Sequence, residues 1–217
     1  MKENYFCERM NKKNTSLAQT HDCEQKTDEE LVRLVLQDKE YYLCVMQRYE
    51  EKLFHYICRS SRLGKEECED ILQNAFLKIY INLHDFDLSL KFSSWIYRIV
   101  HNEMIDYLRK NKMHHETLPL EMEEEDEISF IEILHDDTDM GKELDDTILQ
   151  ENIQELLQKL PVHYREVLVL KYLEQKDYQE ISDILRMPMG TVATLLHRAK
   201  KMMKEKITTL SPHLQNL

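Results

Sequence analysis

The stretch FSSWIYRIVHNEMIDYLRK, residues 92–110, decides how the rest of the chain is read. Phe92, Trp95, Ile96, Ile99, Val100, Met104 and Leu108 recur at three- and four-residue steps, so a helix gathers them on one apolar stripe and buries it. On the opposite face stand Tyr97, Arg98, His101, Asn102, Tyr107 and Arg109. Rings, cations and an amide in that mixture suit stacking on, and hydrogen bonding to, a nucleic-acid strand. The same pattern also fits an amphipathic core helix with a polar back, and the neighbouring segments have to choose between the two.

With three Gly and four Pro in 217 residues, the chain has few sites for hairpin turns and reads as all-α. Its formal charge of −12 is unevenly spread: residues 116–146 hold fourteen Asp or Glu against one Lys, a local balance of −13. So many like charges cannot be desolvated into a core, so this segment reads as a tether and the flanking parts as near neutral with cationic clusters. Five cysteines, Cys7, Cys23, Cys44, Cys58 and Cys68, make no CxxC or Cys/His ligand spacing, which predicts reduced thiols and no bound metal. No apolar run approaches eighteen residues and the start of the chain has no apolar signal core. The expectation is a cytoplasmic protein without membrane insertion.

Outward from residues 92–110, the polar residues 1–26 read as a disordered extension. Thr27 with Glu30 is a capping box that starts a helix at Asp28. A second helix carries Leu43, Met46, Tyr49, Leu53, Phe54 and Ile57, with Gly64 as its stop. The third, over residues 66–83, turns Ile71, Leu72, Ala75, Phe76, Ile79 and Tyr80 to one side and Asp70, Gln73, Asn74 and Lys78 to the other. These helices and residues 92–110 form one module, residues 27–113. Beyond the acidic linker, residues 114–146, periodicity returns at Ile148 and continues to Leu160, and Pro161 ends that helix and opens the next. Asp177 with Glu180 caps a short helix, and MPMG at residues 187–190 breaks it from a last helix over residues 191–209. The pair has helix-turn-helix proportions, with Val192, Leu196, Ala199 and Met203 inward and Thr191, Ala193, Thr194, His197, Arg198, Lys200 and Lys201 outward. A helical hairpin with a basic, solvated end has the same pattern. Residues 147–210 are the second module, 211–217 a tail, and the two modules are expected to fold independently.

Four strings in order carry a resemblance: DILQNAFLKIY (70–80), residues 92–110, LPVHYREVLVLKYLEQKDYQEISDIL (160–185) and GTVATLLHRAKK (190–201) resemble successive signatures of bacterial RNA polymerase sigma factors. The compact two-domain layout resembles the extracytoplasmic-function (ECF) group. The resemblance implies a transcription initiation factor, not an enzyme, with no cofactor, that brings core RNA polymerase to promoter DNA. Residues 27–113 then correspond to sigma region 2 and residues 147–210 to region 4. Asp70, Gln73, Asn74 and Lys78 become the surface for the clamp helices of the largest polymerase subunit, and the second-largest subunit is a further contact. Residues 84–91 take a base flipped from the −10 element, so that Asp85, Asp87, Lys91, Tyr97, Arg98, His101, Asn102 and Arg109 form the −10 set. Thr191, Ala193, Thr194, Leu195, His197, Arg198, Lys200 and Lys201 form the −35 set.

There the sequence departs from the family's usual GTVKSRLHRAR. Ala193, Thr194 and Leu195 stand for a cation, a hydroxyl and a second cation, so phosphate contacts fall to Arg198, Lys200 and the helix N-terminus, with Ala193 or Leu195 against thymine methyls. The resemblance also implies that the acidic linker threads the polymerase's RNA exit path, which its charge suits electrostatically, and a solubilising flexible linker has the same composition. An anti-sigma factor is a candidate further partner. A decoy that binds such a factor without initiating transcription is the alternative function. An enzyme reading with His114, His115 and Glu116, or His135, Asp136 and Asp137, as metal ligands lacks a third ligand at helical spacing on a rigid element.

Overall fold

A computed structural model describes residues 23, 25–88, 90–111 and 155–210, and among them it contains helices and turns but no strand. The acidic linker, the extension, the tail and the stripe from Ile148 to Ile153 lie outside the described residues.

Helix α1, Asp28–Gln37, begins at the expected capping box: the Glu30 N–H donates to Thr27 Oγ1 (3.2 Å) and the Thr27 N–H to Glu30 Oε2 (2.8 Å). Helix α2, Tyr42–Ser61, buries Val45, Leu53, Tyr56 and Ile57. Its stop is Arg62, in the left-handed region at φ 63°, rather than Gly64. Gly64 instead precedes α3, Lys65–Asn82, and its N–H donates to Glu67 Oε2 at 2.8 Å. Helix α4, Phe92–Lys110, has the expected bounds. Phe92, Ile96, Val100, Met104 and Leu108 are buried, while Trp95 and Ile99 at the edges of the stripe are half-buried. One pair departs from the expectation of reduced thiols: Cys23 and Cys44 are joined as a disulfide across Cα atoms 5.9 Å apart, which ties residue 23 to α2. Cys58 and Cys68 are free.

In the C-terminal module Pro161 opens α5, Val162–Leu168, as its position predicts. The chain then widens into a π turn, Val169–Leu173, and leaves it through Gln175 at φ 53°. Helix α6, Tyr178–Leu185, is capped by Asp177, whose Oδ1 accepts from the Glu180 N–H at 2.7 Å. Arg186 at φ 54° and Pro188 turn the chain into α7, Met189–Leu210.

Against the expectation of two independently folding modules, they share one hydrophobic core, in which Leu157, Leu160, Val167 and Ile181 continue the cluster built by α1–α4. Arg165 pins the junction. It is fully buried, and its guanidinium donates to the carbonyls of Ser60 (2.9 Å), Leu160 (2.9 Å) and Leu157 (3.1 Å), the first of them from α2. Arg62 adds a second bond between the modules, to the Leu160 carbonyl at 3.0 Å. An unpaired buried carbonyl costs about 1–3 kcal/mol, so Arg165→Leu, which takes the donor from the Ser60 carbonyl while Arg62 keeps its bond to Leu160, is expected to lower stability by at least about 1 kcal/mol in urea denaturation. Arg165→Lys should recover only part of it, because an ammonium cannot span the same fork.

Candidate nucleic-acid interface

The face of α4 is built by its own spacing and then divided by what packs on it. Asn102 and Arg109 are exposed, and Arg109 Nη2 lies 3.5 Å from Asp106. Arg98 and His101 are half-buried, and Tyr97, expected on the outward face, is only 2% exposed. The burial of Tyr97 has a tertiary cause. The Tyr97 hydroxyl donates to Glu174 Oε2 at 2.5 Å, and Lys176 sits 4.6 Å above its ring, so the C-terminal module covers it. Tyr107 is also half-buried, its hydroxyl 3.3 Å from Glu67 Oε1.

Ahead of α4, Leu83–Asp85 forms a 3₁₀ turn, and Phe86 drives the chain inward. Its ring packs at 5.1 Å on Phe92 and 5.2 Å on Trp95, and the last two stack at 5.7 Å. Trp95 therefore floors this segment as part of a ring cluster. Asp85 and Asp87 are exposed beside it, and Lys91 Nζ lies 3.4 Å from Asp177 and 3.6 Å from Glu180, whose charges raise its pKa.

His101 and Glu166 make the central polar contact. His101 Nδ1 is 2.6 Å from Glu166 Oε1, and the buried Tyr56 hydroxyl donates to that same oxygen at 2.5 Å. Burial opposes charge on both partners, but the attraction and hydrogen bond between them outweigh it. His101 is therefore raised above its ordinary pKa and Glu166 lowered below its own, with Tyr56 and His163 adding to the second shift.

On α3, Asp70, Gln73, Asn74 and Lys78 are exposed as expected. Lys78 is not a bare cation, since its ammonium pairs with the buried Glu103 carboxylate of α4. Two residues absent from the expected set stand on the same outward side: Leu77 is 61% and Ile81 70% exposed. Their signal was in the sequence, because Gln73, Leu77 and Ile81 follow each other at four-residue steps.

Helix α7 corrects one −35 residue. Ala193, expected outward, is buried at 1% exposure, because it stands three residues before Leu196 on the inward stripe. It cannot meet a thymine methyl from there. Leu195 is half-buried and packs against the core. Thr194 turns its hydroxyl back to the Gly190 carbonyl at 2.9 Å. Thr191, His197, Arg198 and Lys200 are half-buried and Lys201 exposed, with Lys200 Nζ 5.7 Å from the Tyr172 ring. Arg198, Lys200 and Lys201 thus form the cationic side of the helix.

Among the described residues no helix is long and apolar enough to cross a membrane, and no cluster of side chains could hold a metal ion.

Comparison with known proteins identifies both modules. Residues 45–113 match the family model for sigma-70 region 2, and residues 150–203 that for sigma-70, region 4. The chain is 33% identical to the ECF RNA polymerase sigma factor SigW of Bacillus subtilis (strain 168) over 179 residues, 80% of this chain and 92% of that one. It is an ECF RNA polymerase sigma factor. It is thus a transcription initiation factor that directs RNA polymerase to promoters. The ECF RNA polymerase sigma-E factor of Haemophilus influenzae is 27% identical over 86% of this chain and 98% of its own length. Among solved structures, the fold resembles CnrH in complex with the cytosolic domain of CnrY, with a TM-score of 0.61 at 19% identity over 85% of this chain and 99% of that one. Region 2 of this sigma factor ends in α4, and region 4 contributes α5–α7.

The pair that joins the regions has a pH signature. His101 is raised, so its contribution is full below the ordinary 6.5 and is lost as pH climbs through the raised value. Glu166 is lowered, so its contribution is full above 4.5 and is lost as pH falls through the lowered value. Stability from this pair is therefore greatest between those two ordinary values. His101→Gln should flatten the wild-type loss of thermal midpoint on going from neutral to alkaline pH, and an NMR titration should place the His101 imidazole above 6.5.

Proposed function

We propose that this sigma factor works through three surfaces. The outward side of α3, with Asp70, Gln73, Asn74 and Lys78, takes the clamp helices of the largest polymerase subunit. The segment 84–91 and α4, with Asp85, Asp87, Lys91, Tyr97, Arg98, His101, Asn102 and Arg109, take the opened −10 strand. The helix-turn-helix docks α7 at the −35 element through Thr191, Arg198, Lys200 and Lys201. The working location is the cytoplasm, the acidic linker runs in the polymerase's RNA exit path, and an anti-sigma factor is a further partner.

The observation that carries this reading is the pair Leu77 and Ile81, exposed beside Gln73 and Asn74 on a helix whose other side is core. Large apolar side chains set among uncharged polar ones form the centre of many protein–protein contacts, where a few residues carry most of the affinity. They give the α3 side an apolar anchor that a merely solvated helix face does not need. The −10 assignment is supported by Asn102, an exposed amide able to pair with base edges without adding charge.

Leu77→Ala with Ile81→Ala should weaken binding to core polymerase by about tenfold or more, the scale of a small hot spot, while the thermal midpoint stays nearly unchanged. A fall in stability matching the fall in binding would return both residues to the core. Asn102→Ala should leave core binding intact and cost roughly 1–3 kcal/mol of discrimination among −10 variants in transcription assays.

A further inference from the structure

Residue 23 is held to α2 by more than its sulfur. The Cys23–Cys44 disulfide joins residues 21 apart in sequence and so closes the chain around α1. Beside it, the Arg48 guanidinium donates to the Cys23 carbonyl at 2.5 Å and to Asp28 Oδ1 at 2.8 Å. The other Asp28 oxygen accepts from the hydroxyl of the buried Tyr49. The Tyr49 ring packs edge-on to Phe92 at 6.0 Å, and Phe92 in turn carries Phe86 at 5.1 Å. Helix α1 itself lies against α4 and against the 3₁₀ turn Leu83–Asp85. The clasp at residue 23 therefore fastens the helix that backs the floor of segment 84–91. Cys58 and Cys68, by contrast, are thiols.

We propose that Cys23 and Cys44 form a thiol–disulfide switch that seats α1 and so tunes how firmly segment 84–91 and α4 hold the −10 strand. This rests on the assignment of that strand to α4 and on a cytoplasmic location, where disulfides are kept reduced unless they serve sensing or catalysis. A small-molecule disulfide supplies the oxidising equivalents. The Cys23 thiolate, its proton released to solvent, attacks one sulfur of that molecule, so that a mixed disulfide forms and a small thiolate leaves and takes up a proton. The Cys44 thiolate then attacks Cys23 Sγ, closing the bond within the protein and expelling the second small thiol. One disulfide is consumed, one is formed and two small thiols are released, so electrons and protons balance. The cross-link removes freedom from the unseated chain and thereby keeps α1 docked. In the reduced chain that restraint is gone, and water competes for the partly exposed Arg48–Asp28 pair. If about a third of reduced chains keep α1 seated, strand affinity falls about threefold.

The test equilibrates the full-length chain in glutathione buffers running from reduced to oxidised, then frees it of glutathione under argon. Peptide mapping after alkylation should find Cys23 linked to Cys44 in the oxidised arm and both free in the reduced arm. The thermal midpoint should stand several degrees higher in the oxidised arm. Each form is then assembled with core polymerase and offered a fluorescein-labelled single strand carrying the non-template −10 sequence of a promoter selected with the holoenzyme. The oxidised chain should bind it about threefold tighter than the reduced chain. Cys23→Ser and Cys44→Ser should each match the reduced wild type in both buffers. Should either fail to fold, the comparison of the two wild-type forms still decides, because it needs no substitution. A chain that shows no Cys23–Cys44 link at any glutathione ratio, links Cys23 or Cys44 elsewhere, or stays linked in the most reducing buffer would overturn the switch. A link that forms and breaks but leaves strand affinity unchanged would overturn it as well. In that case, a loss of strand binding in Asn102→Ala means that the assignment of α4 stands and only the switch fails, whereas no loss traces the failure to the assignment.

Discussion

A carboxylate with almost no access to water, Glu166, sits between two side chains from the other region of the protein. Left alone it would be neutral or out in solvent, because moving an isolated anion into protein interior costs several kcal/mol. His101 and Tyr56 together hold it ionised, one by charge and hydrogen bond and the other by a hydroxyl aimed at the same oxygen. Neither partner comes from Glu166's own helix. The carboxylate is therefore satisfied only while region 4 lies on region 2, and so is the neighbouring Arg165, with its bond to the Ser60 carbonyl.

Around that contact the chain combines two kinds of attachment that respond differently to conditions. The apolar continuity through Leu157, Leu160, Val167 and Ile181 is indifferent to pH and strengthened by salting-out ions. The ring of ion pairs outside it, Lys91 with Asp177 and Glu180 and Arg59 with Glu174, is screened by salt. A junction made both ways is firm as a whole, and only its rim weakens as salt rises.

The π turn is the local device that makes the junction possible. After α5 the wider backbone ring and the left-handed Gln175 bring Glu174 and Lys176 onto Tyr97, one at its hydroxyl and the other over its ring. The same exit sets Asp177 at the start of α6, where its carboxylate both caps the helix and faces Lys91. A single irregularity thus positions three of the charged side chains that lie against α4 or the segment before it.

The helices and most of their faces are written in the chain, because three- and four-residue spacing and capping boxes are local. The bounds of α4, the caps at Thr27 and Asp177, the turn before α7 and the outward side of α3 were all legible, as were the two regions and their family. Leu77 with Ile81 and the inward place of Ala193 follow from the same local spacing. Long-range packing settled which polar faces stay in water. Tyr97 and His101 look solvent-facing from their spacing in α4, and Arg165 and Glu166 look like ordinary helix charges. Their burial arises from partners between 65 and 110 residues away in the chain. Hydrophobic periodicity records the side of a helix that must be hidden, but it does not record that a polar side has found its complement elsewhere. That complement is a matching of charges in space, with no period along the chain to betray it.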